Sequence, residues 1–144
     1  MLRPGEEERL REIAAAAKGY WGYDPEVVRV WAAGIRFDPP GQQTYVADSS
    51  GEPIAWAAVE PKAEVVWLGD MWVEPGWIGK GVGSLLFRRC EARARELGAT
   101  RLEWEAEPNA VGFYERMGGR YLRDSEPSEW GRALPVMGLE LALE

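Results

Sequence analysis

Histidine is absent from this 144-residue sequence, and cysteine occurs once, as Cys90. Without histidine the chain lacks the general base of serine and cysteine hydrolases and the commonest zinc ligand. Acid and base chemistry must therefore use Asp, Glu, Tyr, Lys or the substrate itself, and we expect no metal site. A single cysteine excludes a disulfide within the chain, and its place on an apolar helical stripe indicates a buried, unreactive thiol.

Long apolar runs are also missing. No stretch approaches the roughly 18 to 20 apolar residues that cross a bilayer, and Glu6, Glu7 and Glu8 stand where a signal peptide would need apolar residues. The formal net charge of −7 repels a phosphate backbone and attracts cationic partners, although it equally serves solubility. We therefore expect a cytoplasmic protein that binds neither membranes nor nucleic acid.

The hydrophobic periodicities predict one mixed α/β domain that spans residues 1–144, a length that can bury a core without disulfides. The predicted elements are, in chain order, a helix ending near Lys18, a helix that starts at Asp24-Pro25, strands at 43–47, 53–60 and 64–73, a helix at 79–97, a strand at 100–107, a helix at 110–117 capped by Asn109, and strands at 120–124 and 134–141. The second helix is expected to turn Val27, Val30, Trp31 and Ile35 inward.

Residues 73–84, VEPGWIGKGVGS, carry the most informative local pattern. Gly79, Gly81 and Gly83 alternate between a strand-like run and a helical run. Glycine permits backbone angles and close contacts that a Cβ forbids, and the N-terminus of a helix attracts phosphate. The spacing matches neither a P-loop nor a dinucleotide fingerprint, and a tight turn alone would also favour glycine. The pattern favours a site for a pyrophosphate-bearing cofactor.

Two motifs resemble the Gcn5-related N-acetyltransferase (GNAT) superfamily over essentially the whole chain. The superfamily's cofactor motif, G-x-G after a strand ending in V-x-P, matches residues 73–75 and 79–83. A second motif, an asparagine shortly before Phe-Tyr on a short helix, matches Asn109, Phe113 and Tyr114. Both motifs occur in the superfamily's order, about 30 residues apart.

The resemblance implies a GNAT-like fold. This fold has one central mixed sheet, mostly antiparallel, of about six to seven strands flanked by four helices. Its parallel pair, here at 64–73 and 100–107, splays apart to hold acetyl-coenzyme A. The implied reaction is acetyl transfer to a primary amine, by direct attack of the amine on the thioester.

The cofactor site implied by the resemblance has one departure from the superfamily. Ile78 stands where most members have Gln or Arg, so the backbone amides must hold the pyrophosphate. The residues expected at the cofactor are Met71, Trp72, Val73, Ile78, Gly79, Lys80, Gly81, Val82, Gly83, Ser84, Asn109, Gly112, Phe113 and Tyr114.

Two residues are expected to act in catalysis. By the resemblance Tyr114 donates a proton to the leaving thiolate, although it also falls on an apolar helical stripe and fits a core position. Asp70, on the strand that leads into the glycines, is the first candidate for accepting the amine proton. Glu64, Glu103 and Glu105 are alternatives, and every one of these carboxylates also suits a solvated strand.

The acceptor is the least specified partner. In the superfamily two loops border its cleft, and here they place Tyr20, Trp21, Tyr23 and Trp130 as candidate substrate-binding residues. Aromatic walls with nearby carboxylates suit a small cationic amine or a protein amine. A non-catalytic module that binds acyl-CoA or another protein is the alternative function, and the protein is expected to be a monomer or a homodimer.

Overall fold

A computed structural model describes residues 3–37, 41–127 and 133–141. Its helices and strands are, in chain order, α1 (Glu7–Tyr20), α2 (Pro25–Ala33), β1 (Gln43–Ser49), β2 (Glu52–Lys62), β3 (Val65–Val73), α3 (Val82–Glu96), β4 (Arg101–Glu105), α4 (Val111–Arg116), β5 (Arg120–Asp124) and β6 (Pro135–Glu140). Short 3-10 turns at Pro75–Trp77 and Pro108–Ala110 precede α3 and α4. No helix among the described residues is long and apolar enough to span a membrane.

The strands form one six-stranded sheet in the order β1-β2-β3-β4-β6-β5. Every neighbouring pair is antiparallel except β3 and β4, which α3 connects as a crossover. This arrangement of a mixed sheet and four α-helices confirms the predicted fold class.

The parallel pair is short, and its two strands then separate. β3 and β4 share three register positions, the last joining Trp67 to Glu103. Beyond that point β3 stays paired with β2 as far as Val73, whereas β4 continues along β6. A register shift between Ala58 and Val59 of β2 accompanies the separation, and such irregularities bend a strand away from its neighbour. A cleft therefore opens between β3 and β4.

The core has two layers, one on each face of the sheet, because alternate residues of β2 point to opposite faces. On one face Ala55, Ala57 and Val59 pack in the cluster that contains Phe87 and Cys90 of α3. On the other face Trp56 and Ala58 pack with Leu10, Ile13 and Ala14 of α1. We call these the α3 side and the α1 side of the sheet.

The predicted inward face of α2 is half wrong. Trp31 and Ile35 pack against the α1-side cluster as expected. Val27 and Val30 are instead 48% and 62% exposed, while the helix buries Val28 and Ala32. The Asp24 cap is present, since its carboxylate accepts hydrogen bonds from the N–H groups of Glu26 and Val27. In a nine-residue helix with valines on both sides, hydropathy alone does not fix which valine faces inward.

Candidate active site

A cavity of about 720 Å³ occupies the cleft between β3 and β4. Its wall on the α3 side carries Met71, Val73 and Phe113, and its wall on the α1 side carries Trp31 and Trp72. The cavity therefore extends through the gap between the two strands and has a wall on each side of the sheet. Most of the residues expected at the cofactor line it, namely Met71, Trp72, Val73, Ile78, Gly79, Gly81, Gly83, Ser84, Asn109, Gly112, Phe113 and Tyr114.

The glycine loop shapes the α3 side of the cavity. Gly79 and Gly81 adopt φ angles of 81° and 86°, which L side chains rarely adopt, and a Cβ at either position would meet no atom within 4 Å. Helix α3 begins immediately afterwards, and Gly81 at its N-cap supplies no side-chain acceptor. The N–H groups of the first turn of a helix have no intrahelical acceptors, so these donors are available to an anion in the open space.

Two members of the predicted cofactor set lie outside this wall. Val82 is buried in the α3-side core, and Lys80 is exposed and does not line the cavity. Ile78, the departure from the superfamily motif, lines the cavity with an apolar side chain that is 40% exposed.

Tyr114 lies where α4 packs against the sheet. Its ring is 5.0 Å from Trp104 and 6.1 Å from Phe87, centroid to centroid, and the residue is only 8% exposed, yet it lines the cavity. Burial raises the pKa of the phenol, and its electrostatic interactions with Cys90, Glu107 and Asp70 raise it further. The hydroxyl therefore keeps its proton throughout the neutral range and can act as a donor. Its core contacts and its place on the cavity wall are compatible.

Asp70 borders two cavities. It is half-buried on β3, and one carboxylate oxygen accepts a hydrogen bond of 3.1 Å from the indole N–H of Trp72. The same residue lines the main cavity and a second one of about 400 Å³, which is bordered by Trp31 and Arg36. A carboxylate at this junction can meet a molecule that enters past α2.

The alternative carboxylates lie in different surroundings. Glu103 is buried, and its oxygens accept hydrogen bonds from Arg101 and Arg123. Burial acts to raise the pKa of this carboxyl, but the two guanidinium groups outweigh it and hold the pKa below its ordinary value. Glu105 is exposed and lines the cavity, whereas Glu64 is exposed away from its lining.

The predicted N-cap of α4 is wrong. The helix starts at Val111 with Ala110 as its N-cap, and Asn109 lies in the preceding 3-10 turn. The amide of Asn109 donates a hydrogen bond of 2.9 Å to a carboxylate oxygen of Glu107 instead. A 3-10 turn at Pro108–Ala110 therefore replaces the first turn that the sequence pattern predicts.

Glu107 and Lys18 are cavity residues that the sequence patterns do not single out. The Nζ atom of Lys18 lies 3.4 Å from Oε2 of Glu107, and the two side chains are 6% and 10% exposed. The phenol of Tyr23 donates a hydrogen bond of 2.7 Å to the same oxygen. One signal was present in the sequence: Glu107 follows β4 at the end where the parallel strands separate, which is where polar side chains from both strands can converge.

The candidate substrate-binding residues differ in whether they reach the cavity. Trp21 lines the cavity, and Tyr20 is 57% exposed with its ring against Trp21 at 4.9 Å. Tyr23 reaches the cavity indirectly, through its bond to Glu107. Trp130 lies outside the described residues.

Comparison with known proteins gives two curated relatives. The chain is 36% identical over 75 residues to serotonin N-acetyltransferase 2 of Oryza sativa subsp. japonica, which is 50% of this chain and 36% of that protein. It is 35% identical over 81 residues to blasticidin-S acetyltransferase of Streptomyces morookaense, which is 54% of this chain and 58% of that protein. The chain thus spans from about a third to somewhat over half of the length of these relatives.

The fold and the sequence profile point to the same family. The structure of the paia N-acetyltransferase of Thermoplasma acidophilum, a complex with coenzyme A, superposes with a TM-score of 0.77 over 97% of this chain and 96% of that chain, at 16% identity, which shows a shared fold. The profile of the acetyltransferase (GNAT) family matches residues 8–119. The two motifs on the cavity wall lie within that match, and the chain belongs to the GNAT family of acetyltransferases.

Proposed function

We propose that this protein is an N-acetyltransferase that moves the acetyl group of acetyl-CoA to a primary amine, carried by a small molecule or a protein. The observation that carries the proposal is the single cavity that joins the glycine-lined start of α3 to Tyr114 and Asp70. The names of the two curated relatives, a serotonin and a blasticidin-S acetyltransferase, support an amine acceptor.

The residues present fit acetyl-CoA. The first turn of α3 offers unpaired N–H donors beside open space at Gly79 and Gly81, which suits a pyrophosphate. Among the described strands, the β4-facing edge of β3 has no partner beyond Trp67, so backbone groups at 68–73 are available to the rest of the cofactor. Bound there, acetyl-CoA would supply a thioester, an acyl group activated for attack by an amine.

Asp70 is proposed to accept the proton that the amine must lose. An alkylammonium with a pKa near 10.4 costs about 4.6 kcal/mol to deprotonate at pH 7, so a nearby acceptor lowers this cost without needing to be strongly basic. The carboxylate of Asp70 lies on the cavity wall on the strand that carries Trp72, and it can take the proton directly or through one water molecule.

Tyr114 is proposed to hold a proton at its hydroxyl and to give it to the departing sulfur. The raised pKa keeps the phenol protonated, but it also makes proton release harder, so the thiolate must approach the hydroxyl closely in the transition state. The packing of the ring against Trp104 and Phe87 fixes its position, which favours this approach.

Thiol release from acetyl-CoA, measured across a panel of primary amines, tests the proposal. We expect amine-dependent release by the wild-type protein and at least about 100-fold slower release by a Tyr114→Phe, Asp70→Asn double variant. Protein that binds acetyl-CoA yet releases no thiol with any amine would support the non-catalytic module instead. Failure to bind coenzyme A at all would overturn both the acetyltransferase and a module that binds acyl-CoA.

A further inference from the structure

Lys18 presents its ammonium group to three aromatic rings at once. Its Nζ atom lies 4.4 Å from the ring centroid of Tyr23, 5.5 Å from that of Trp72 and 5.6 Å from that of Trp31. All three distances are within the roughly 6 Å over which a cation is attracted to a ring face. With the carboxylate of Glu107 at 3.4 Å, these residues form an aromatic box with an anionic wall.

The box has the features of a binding site for an ammonium group. Burying a cation is costly unless other groups replace its hydration, and here the rings, the carboxylate and the C-terminal end of α1 all do so. Tyr23 and Asn109 each donate a hydrogen bond to Glu107, which fixes the carboxylate in place. Lys62, by contrast, is 57% exposed and keeps most of its hydration, and it contacts the Trp67 ring at 5.4 Å and pairs with Glu60 at 3.7 Å on the surface.

The box also belongs to the wall of the cavity. Lys18, Trp31, Trp72 and Glu107 all line the cavity that contains Tyr114 and Asp70. Because Trp31 and Trp72 pack on the α1 side, the box lies on the opposite side of the sheet from the glycine loop. An acceptor that approaches from the α1 side therefore meets Lys18.

We propose that Lys18 fills an ammonium subsite on the α1 side of the cavity and thereby determines acceptor specificity. This inference rests on the proposed acetyltransferase function. The ammonium group of Lys18 already pairs with Glu107 and occupies the space between the rings, so a second cationic group on an acceptor that reaches the box would meet a like charge at short range. Acceptors with one amine and an uncharged, apolar body are favoured, because Trp21, Trp31 and Trp72 offer that body flat apolar surfaces.

Binding of a non-reactive cation tests the subsite without any turnover. In Lys18→Ala the box loses its internal ammonium, and tetramethylammonium chloride at roughly 10 mM should raise the Tm by a few degrees over the same concentration of NaCl, as for a dissociation constant of about 1 mM. Three controls should show no such difference in Tm: the wild-type protein, the Lys62→Ala variant and the Lys18→Met variant. In Lys18→Met an apolar side chain refills the box.

The result that overturns the subsite is a Lys18→Ala protein whose Tm is the same in both salts up to about 50 mM. A variant that folds only when tetramethylammonium is present would support the subsite, and one that stays unfolded equally in both salts would overturn it. Because this test measures binding and not turnover, it decides on the subsite even if the protein acetylates no amine.

A matched pair of amines tests the specificity in the wild-type protein. Hexylamine and hexane-1,6-diamine have the same length and differ in one ammonium group. We expect kcat/KM to be at least about tenfold higher for hexylamine in the wild type, and the preference to shrink or reverse in Lys18→Ala. A wild-type preference for the diamine would overturn the inference, whereas absence of thiol release with every amine would contradict the proposed function and leave the binding test to decide on the subsite.

Discussion

At the scale of single residues, Tyr114 combines a packing role with a proposed chemical one. We expect Tyr114→Phe to lower kcat by about 100-fold or more while the dissociation constant of coenzyme A changes little, because the ring remains and only the proton donor is lost. Tyr121→Phe is the matched control, since Tyr121 is 59% exposed and bonds to Asp124 on β5. Steady-state kinetics and calorimetric titration measure the two effects, and equal losses in both would indicate packing alone.

Gly81 is the N-cap of α3, and its left-handed backbone conformation shapes the proposed phosphate site. Gly81→Ala forces an L side chain into φ 86°, at a cost of about 1 to 2 kcal/mol, and we expect lower stability together with weaker cofactor binding. Gly76→Ala is the control, because its φ is not in the left-handed region and a Cβ there would meet no atom within 4 Å. Urea unfolding and cofactor titration of both variants measure the effects. A Gly81→Ala protein as stable as Gly76→Ala would contradict the prediction.

The residues of the candidate site were predictable to different degrees. Tyr114 and the glycines follow from motifs that are local in the sequence, and Asp70 follows from its place on the strand before the glycines. The structure places all of them on the lining of one cavity, although their roles stay predictions. Lys18 and Glu107 are 89 positions apart, so their pairing exists only after the sheet and α1 have packed. No periodicity within either segment carries that information.

At the scale of elements, β4 and its neighbours contain an ionic cluster around one buried carboxylate. Glu103 accepts hydrogen bonds from Arg101 and Arg123, and its depressed pKa means that the charged form is stabilised by folding. This stability is present above the ordinary carboxyl pKa and is lost as the pH falls through the folded value. We expect Glu103→Gln to lower the free energy of unfolding by about 2 kcal/mol at pH 7 and by less at pH 3.

Glu8→Gln serves as the control for Glu103→Gln. The side chain of Glu8 is 78% exposed, so its ion pair with Arg11 contributes little to the free energy of unfolding. Urea unfolding at several pH values measures both variants. A stability difference between wild type and Glu103→Gln that is independent of pH would argue against the titration of Glu103.

The elements themselves were largely predictable, since the hairpin, the crossover and the short C-terminal helix all appear near their expected bounds. The two errors have a common physical origin. The inward face of α2 and the start of α4 depend on how short helices contact the rest of the fold, because a helix of six or nine residues has few positions to define its phase or its first turn.

At the scale of the whole molecule, alkaline pH should destabilise the fold. Burial raises the pKa of Cys90 to about 12 from an ordinary value of 9.0, and it also raises the pKa of Tyr114. Because the unfolded chain releases these protons first, stability is intact below about pH 9 and falls as the pH rises further. We expect the Tm to decrease between pH 9 and 11, and Cys90→Ala to show a shallower decrease than wild type in a scan of thermal unfolding. Parallel curves for the two proteins would exclude a contribution from Cys90.

The division of tryptophans between core and cavity has an optical consequence. Trp56 and Trp104 are fully buried in the two core layers, whereas Trp21, Trp31, Trp72 and Trp77 line the cavity. Indole emission depends on the polarity and the quenchers around the ring, so a ligand that fills the cavity changes the emission of the second group directly. The chain thus carries an intrinsic fluorescent reporter of occupancy that needs no attached dye.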